Sequence, residues 1–352
     1  MGAEKLIQGV LKVQLFLKPL EEEADFVTCE RSYLLAIVIQ HCRPKADLSA
    51  SLWCGNGRRP ADRHAILAAF FAKAIWNIES TATLIQTLRT NRQMRLLCGW
   101  QNGPGEIPSE STFSRAFKEL ARNETLRGIH ERLVDGFYGS KLIGHLSVDS
   151  AVIEVPEHVP HRAVPSDRPA APAKRLDLQP LRTAAENFAD LPQASAWGCK
   201  KNTRGKTLHW CGAKLHMAVG DGGIPVRAFL SSAGLHDSQA IIPLVQSTLS
   251  KLNACYLLAD AAYDAKAIRD YAASRGLVAL IDTNRRTSET PVSFSPAEQR
   301  RYAERSGVER FFSHLACHGR NTIFVRGARK VMTHLYFGII VIAIEQMLRM
   351  VC

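Results

Sequence analysis

Residues 145–155 read HLSVDSAVIEV, an alternating Val/Ile-rich run that predicts a β-strand with Asp149 inside it. An ionised carboxylate is expensive in such a strand unless it is paired or bound to a cation. Downstream, LHWCGAKLHMAVG (208–220), the turn DGG (221–223) and IPVRAFLSSAG (224–234) set two apolar runs around a glycine-rich turn, which predicts a hairpin. His236-Asp237-Ser238 then precedes an amphipathic helix, QAIIPLVQSTLSKL (239–252). A short apolar strand, ACYLLAD (254–260), ends at Asp260 and is followed by the helix YDAKAIRDYAASRG (263–276) and the strand LVALI (277–281). This order predicts an α/β fold, a mixed sheet with helices on its faces. Residues 156–206 are rich in Pro, Ala and basic residues without steady periodicity, and are expected to form a flexible insertion.

Upstream, the first 140 residues read almost wholly helical. HAILAAFFAKAIWNI (64–78) is apolar nearly all round, as a central helix packed on several sides would be. Ser80 is placed to cap STATLIQTLRTN (80–91), and Ser109 to cap the helix that follows the loop CGWQNGPGEIP (98–108). In that helix Phe113, Ala116, Phe117 and Leu120 share a face, while Ser111, Ser114, Arg115 and Lys118 point elsewhere. A further helix carries Leu126, Ile129, Leu133 and Phe137. Short helices with one basic face suit a helix-turn-helix-like DNA-binding unit, and equally a generic bundle with a solvated basic surface.

Composition narrows the function classes. The 352 residues carry 45 Lys+Arg against 33 Asp+Glu, a formal charge of +12 that suggests an acidic partner, most often nucleic acid. With 46% apolar and 22% charged residues the chain lies outside the disordered and membrane compositions. Its longest apolar run, LYFGIIVIAI (335–344), has about half the length of a spanning helix, is closed by Glu345, and is expected to be core. Near the N-terminus LKVQLFLKPL (11–20) is cut by Lys12 and Lys18, so no secretory h-region is evident and a cytoplasmic location is expected. Nine cysteines form no CxxC pair and are expected to be reduced thiols, mostly buried. Gly205-Lys206-Thr207 ends like a P-loop, but six residues separate it from Gly198 where the motif needs four. His314 and His318 stand four apart with no third ligand in sequence, and are expected to be an ordinary histidine pair.

The carboxylates are more informative. Side chains at strand ends of such a sheet converge on a crevice, so Asp149 and Asp260 are candidates to lie close together and repel. A divalent cation resolves that conflict, and an oxygen-rich site suits Mg²⁺ or Mn²⁺. From spacing alone each aspartate is also readable as a helix or turn cap. In RYAERSGVERFFSHLACHGR (301–320), Tyr302, Arg305 and Glu309 would share one face of a helix, although Gly307 weakens it and its start is expected as late as Val308. Residues 300–330 hold eight Lys+Arg and two acids, half of the chain's net positive charge.

The segments LSVDSAVI (146–153), KLHMAVGDGGIPVRAFLSSAGLHDSQAIIPLV (214–245), LLADAAYDA (257–265) and RYAERSGVERFFSHL (301–315) together resemble bacterial insertion-sequence transposases of the DDE class, which have an RNase-H-like catalytic core. IPSESTFSRAFKELAR (107–122) resembles part of the helical domain that precedes that core in one branch of the family. The resemblance implies a helical N-terminal domain over 1–140 that binds transposon ends, and a catalytic domain over 141–352. It implies Asp149, Asp260 and Glu309 as catalytic ligands of two Mg²⁺ (or Mn²⁺) ions, with Tyr302 and Arg305 holding DNA. Arg115 and Lys118 would contact the terminal inverted repeats of double-stranded DNA. A homodimer on DNA, associated with the nucleoid and away from any membrane, is the expected assembly. Tyr302, Arg305 and Glu309 fit the family's Tyr-(2)-Arg-(3)-Glu-(6)-Lys signature, but Ala316 stands where its lysine belongs. Arg320 would substitute if the helix continued past Gly319. Two alternatives to an active transposase stay open: a copy that binds DNA without catalysis, which Ala316 favours, and an RNase-H-like nuclease that cuts without joining.

Overall fold

The computed structural model describes residues 3–21, 29–42, 60–139, 141–159, 175–201, 207–283 and 293–351. They divide into two compact units, one of residues 1–137, 314–324 and 329–352, the other of residues 138–313 and 325–328.

The second unit is built on a six-stranded mixed sheet. Its strands are β1 (Leu142–Glu154), β2 (Ala196–Lys201), β3 (Thr207–Val219), β4 (Pro225–Ser232), β5 (Asn253–Ala259) and β6 (Val278–Ile281). β1 lies in the interior, antiparallel to β3 on one side and parallel to β5 on the other, with β6 parallel to β5 beyond. The predicted hairpin is β3 and β4. With helices Ser238–Leu249 and Lys266–Ser274 packed against it, this is the RNase-H-like α/β arrangement.

The long strand β3 changes its outer partner part-way. Residues 207–212 pair with β2 and residues 213–219 with β4. The change falls at Gly212, whose φ is 154° and where a Cβ would collide with the carbonyl oxygen of Ile153. Only glycine fits there. The hairpin turn is tied back to β1 through Asp221, whose carboxylate accepts from the Gly144 and His145 amides at 2.5 and 3.1 Å and pairs with His145 Nδ1 at 2.9 Å.

Much of the stretch expected to be a flexible insertion is regular. Residues 175–201 hold helices Arg175–Leu178 and Ala184–Asp190 and the edge strand β2. Thr183 and Glu186 form a capping box, and buried Asn187 donates to Gln179 O at 2.9 Å and to Gln246 Oε1 at 2.8 Å. Leu191 packs with Leu235 and Ala240. Helices of four and seven residues are too short to leave a periodic signal, and polar contacts to a distant helix hold them. Gly205-Lys206 lies outside the described residues.

The first unit is helical. Its central helix, Arg63–Ile75, is buried over residues 65–72 and is capped by Asp62, which accepts from His64 N at 2.7 Å. Phe70 meets Phe113, Phe117 and Phe337 with ring centroids 5.7, 5.3 and 5.5 Å away. Phe337 belongs to helix Ala328–Val351, so the chain's last helix completes the core of its first ones. That helix is longer than the apolar run suggested. By length and composition it could cross a membrane, but 72% of its most apolar window is buried inside the protein. Ser80 caps Thr81–Thr90 as expected; Ser109 takes the N-cap position of Glu110–Arg122, but its hydroxyl meets those of Ser111 and Thr112. The cysteines differ from expectation: among the described ones only Cys42 and Cys98 are buried, while Cys29 before the second helix, Cys199 on the edge strand β2 and Cys317 in the turn after Leu315 are exposed.

Candidate active site

Strand pairing brings the two aspartates together. β1 and β5 align Ser147 with Leu258, and continuing that register two places sets Asp149 opposite Asp260, just past the end of β5. Neighbouring strands run about 4.8 Å apart, so the two carboxylates share one end of the sheet. The Ser150 amide donates to Asp149 Oδ1 at 2.7 Å, and the Ala262 amide to Asp260 Oδ1 at 2.9 Å. Asp260 therefore does cap a turn, and faces Asp149 as well. Burial first, and then the charge of Asp260 among others, pushes the Asp149 carboxyl up to about 6. Asp260 is raised as well, by burial first and by the charge of Asp237.

Two neighbours escaped the sequence reading. Asp237 occupies the N-cap position of Ser238–Leu249, but its carboxylate takes Lys214 Nζ at 3.0 Å instead of capping. It adds negative charge beside Asp149 and Asp260. Tyr263 is fully buried, and burial, followed by the charges of Asp237, Asp149 and Asp260, holds its phenol far above the ordinary range. The motif HDS before a helix was the available signal for Asp237. Nothing in YDAK distinguishes Tyr263 from any core aromatic.

Tyr302, Arg305 and Glu309 do not share one helix. Tyr302 ends helix Pro296–Ala303, Arg305 lies in the turn, and Glu309 stands in the first turn of Ser306–Leu315. That second helix begins at Ser306, earlier than expected, because Gly307 sits in its first turn where a weak helix former costs little. The three still meet. Arg305 Nη2 pairs with Glu309 Oε1 at 2.7 Å and its guanidinium lies 5.9 Å from the Tyr302 ring centre. Arg305 also lowers the pKa of both Asp149 and Asp260, so one guanidinium links all three carboxylates electrostatically.

The segment is held on the sheet by three anchors. Ser147 Oγ donates to Glu304 O at 3.2 Å, Tyr302 Oη to Ala259 O at 3.4 Å, and Arg301 lies 4.1 Å from the Tyr256 ring centre. The partners belong to β1 and β5, the strands that lead to Asp149 and Asp260.

The remaining candidates lie in the helical unit. Arg115 and Lys118 are exposed on Glu110–Arg122, opposite buried Phe113, Ala116, Phe117 and Leu120, as the periodicity predicted. Arg320 does not extend the helix of Glu309. The backbone leaves helical geometry at His318 and turns left-handed at Gly319, φ 97°, so the expected one-turn relation fails. Ala316 opens that distorted turn.

Residues 140–344 match the family model described as Transposase DDE domain. Residues 31–119 match a second one, described as Transposase domain (DUF772). No curated protein and no solved structure matches the chain.

Proposed function

Because the chain belongs to the transposase DDE domain family, we propose that it catalyses metal-dependent cleavage of DNA at the ends of an insertion sequence and joins the freed 3′ ends to a target strand. The observation that carries this reading is the register of β1 and β5, which sets Asp149 opposite Asp260, together with the Arg305 guanidinium that links both to Glu309.

The donor set fits a divalent cation. Two half-buried carboxylates whose pKa values are both raised, chiefly by burial, are a costly arrangement, and all-oxygen ligation suits Mg²⁺ or Mn²⁺. Asp149, Asp260 and Glu309 would hold two such ions. When bound, they supply activation of the attacking oxygen and neutralisation of charge on the leaving one. The chain's own groups do the rest. Arg305, fixed by Glu309, offers its remaining N–H donors to a non-bridging phosphate oxygen. Tyr302 holds the turn that carries Arg305 against the end of β5. Tyr263, kept neutral by burial, stands near the aspartates without adding to their negative charge.

Arg115 and Lys118 would contact backbone phosphates of the terminal inverted repeats, and Arg320 a further phosphate. A homodimer would hold two ends together. Ala316 removes one cation from the family's signature, which predicts weaker end binding than a lysine-bearing relative would show.

The test is a cleavage and strand-transfer assay on oligonucleotides copied from the inverted repeats that flank the gene. In Mg²⁺ the protein should cut and join. Asp149→Asn, Asp260→Asn and Glu309→Gln should do neither while retaining salt-dependent binding. Cutting without joining of pre-cleaved ends would identify a nuclease, and binding without cutting by the unsubstituted protein a DNA-binding remnant; either overturns the proposal.

A further inference from the structure

The histidine pair that lacked a third ligand in sequence acquires one from the last helix. His314 and His318 face each other with Nε2 to Nε2 3.3 Å, and Glu345 Oε2 lies 3.3 Å from His314 Nε2 and 4.0 Å from His318 Nε2. Three potential ligand atoms thus gather within 4.8 Å of one another. A tetrahedral zinc site with metal–ligand bonds of about 2.0–2.1 Å has ligand-to-ligand edges of about 3.3 Å. Two of the three observed edges have that length, and the third is closed by a shift of a few tenths of an ångström at each end.

Hydrogen bonding points the same way. His318 Nδ1 lies 3.2 Å from the Ala74 carbonyl oxygen, which can only accept, so the ring proton sits on Nδ1 and Nε2 presents a lone pair to the cluster. A backbone carbonyl fixing the second nitrogen of an imidazole is the usual support of a metal-bound histidine. Glu345 Oε2 is buried and accepts no hydrogen bond from the described residues, although His314 Nε2 is within reach. A buried carboxylate oxygen left this way costs free energy that a bound cation would recover.

We propose that His314, His318 and Glu345 bind a transition-metal cation of the Zn²⁺ class, a structural clasp between the turn after Leu315 and helix Ala328–Val351. Two imidazoles and one carboxylate select zinc or cobalt over magnesium, so the clasp is chemically distinct from the all-oxygen site. Burial keeps both imidazoles on the neutral, ligating side, with Arg31 and Arg349 adding to the effect. Glu30 stands near Glu345 and offsets part of the positive charge of a bound dication.

The experiment uses the full-length protein stripped with chelator and titrated with Co²⁺ alone, then Zn²⁺. One equivalent of Co²⁺, with water as the fourth ligand, should give the intense visible bands of four-coordinate ligation without sulfur charge transfer, and Zn²⁺ should displace it and raise the melting temperature by several degrees. Glu345→Gln, which keeps size and shape, and His314→Ala should each lose the bands. Asp149→Asn and Cys317→Ser should keep them. Absence of the bands, their survival in Glu345→Gln, or their loss in Asp149→Asn or Cys317→Ser would each overturn the clasp.

Discussion

The Ser147 hydroxyl donates to the main-chain carbonyl of Glu304 at 3.2 Å, spanning 157 positions of sequence. Ser147 lies two residues before Asp149 on β1, and Glu304 directly precedes Arg305. One partly buried hydrogen bond therefore couples the strand of the first aspartate to the segment that carries the glutamate. Ser147→Ala should cost about 1 kcal/mol of stability in denaturant titrations. Strand transfer should fall more than DNA binding does, because the segment's aim is loosened while its charges remain. Equal losses in both would show that the bond serves folding alone.

Asp149 and Asp260 work against the fold that holds them. Since the Asp149 carboxyl is pushed up to about 6, its ionised form is disfavoured in the folded chain. Asp149→Asn, which keeps the acceptor for the Ser150 amide, should raise stability at pH 7.5 in chelator by roughly 1–3 kcal/mol. Urea denaturation of both proteins measures this, and a destabilised variant would contradict the electrostatic account.

Arg305 is the residue at which the proposed catalysis is predicted to separate from stability. Its pair with half-exposed Glu309 is worth no more than about 1 kcal/mol. Arg305→Ala should therefore melt near the parent protein yet lose strand transfer about 100-fold or more, in the range seen when a charge-stabilising donor is removed. Arg305→Lys keeps the charge without the planar fork and should recover only part of the loss. A lysine variant with full activity would show that charge alone suffices.

His216 predicts acid lability. It is fully buried on β3, hydrogen-bonded to Ser231 Oγ at 2.8 Å and stacked on Phe229, and burial pushes its pKa down to about 4. Between the unfolded value of about 6.5 and 4, the unfolded chain binds more protons than the folded one, so stability falls as pH drops through that window. The loss attributable to this group is roughly 3 kcal/mol. Burial pushes His318 and His334 down to about 4 as well, so His216→Gln should reduce, not abolish, the slope of the stability profile between pH 6.5 and 4; an unchanged slope would remove His216 as a cause.

The order of strands and helices was legible because each leaves a local signature. Alternation marked β1, the glycine-rich turn marked the β3–β4 hairpin, and the 3.6-residue period marked helix Glu110–Arg122. The two proposed aspartates were legible for a related reason: a charge inside or at the end of an apolar strand breaks the expected pattern. Where the signal was absent the expectations failed. The short helices of 175–190 have too few residues to show a period, and Tyr302, Arg305 and Glu309 converge across a turn that helical spacing cannot describe.

The amino-acid sequence by itself determined most of the segments that become strands and helices, and which of them carry anomalous charge, because these follow from neighbours a few residues apart. Only the tertiary structure decided which distant groups meet. It set Asp149 across from Asp260, turned Asp237 toward Lys214, and brought Glu345 to His314 and His318. Those meetings depend on strand register and helix packing, which are fixed by burial summed over the whole chain and leave no trace in the spacing of any one segment.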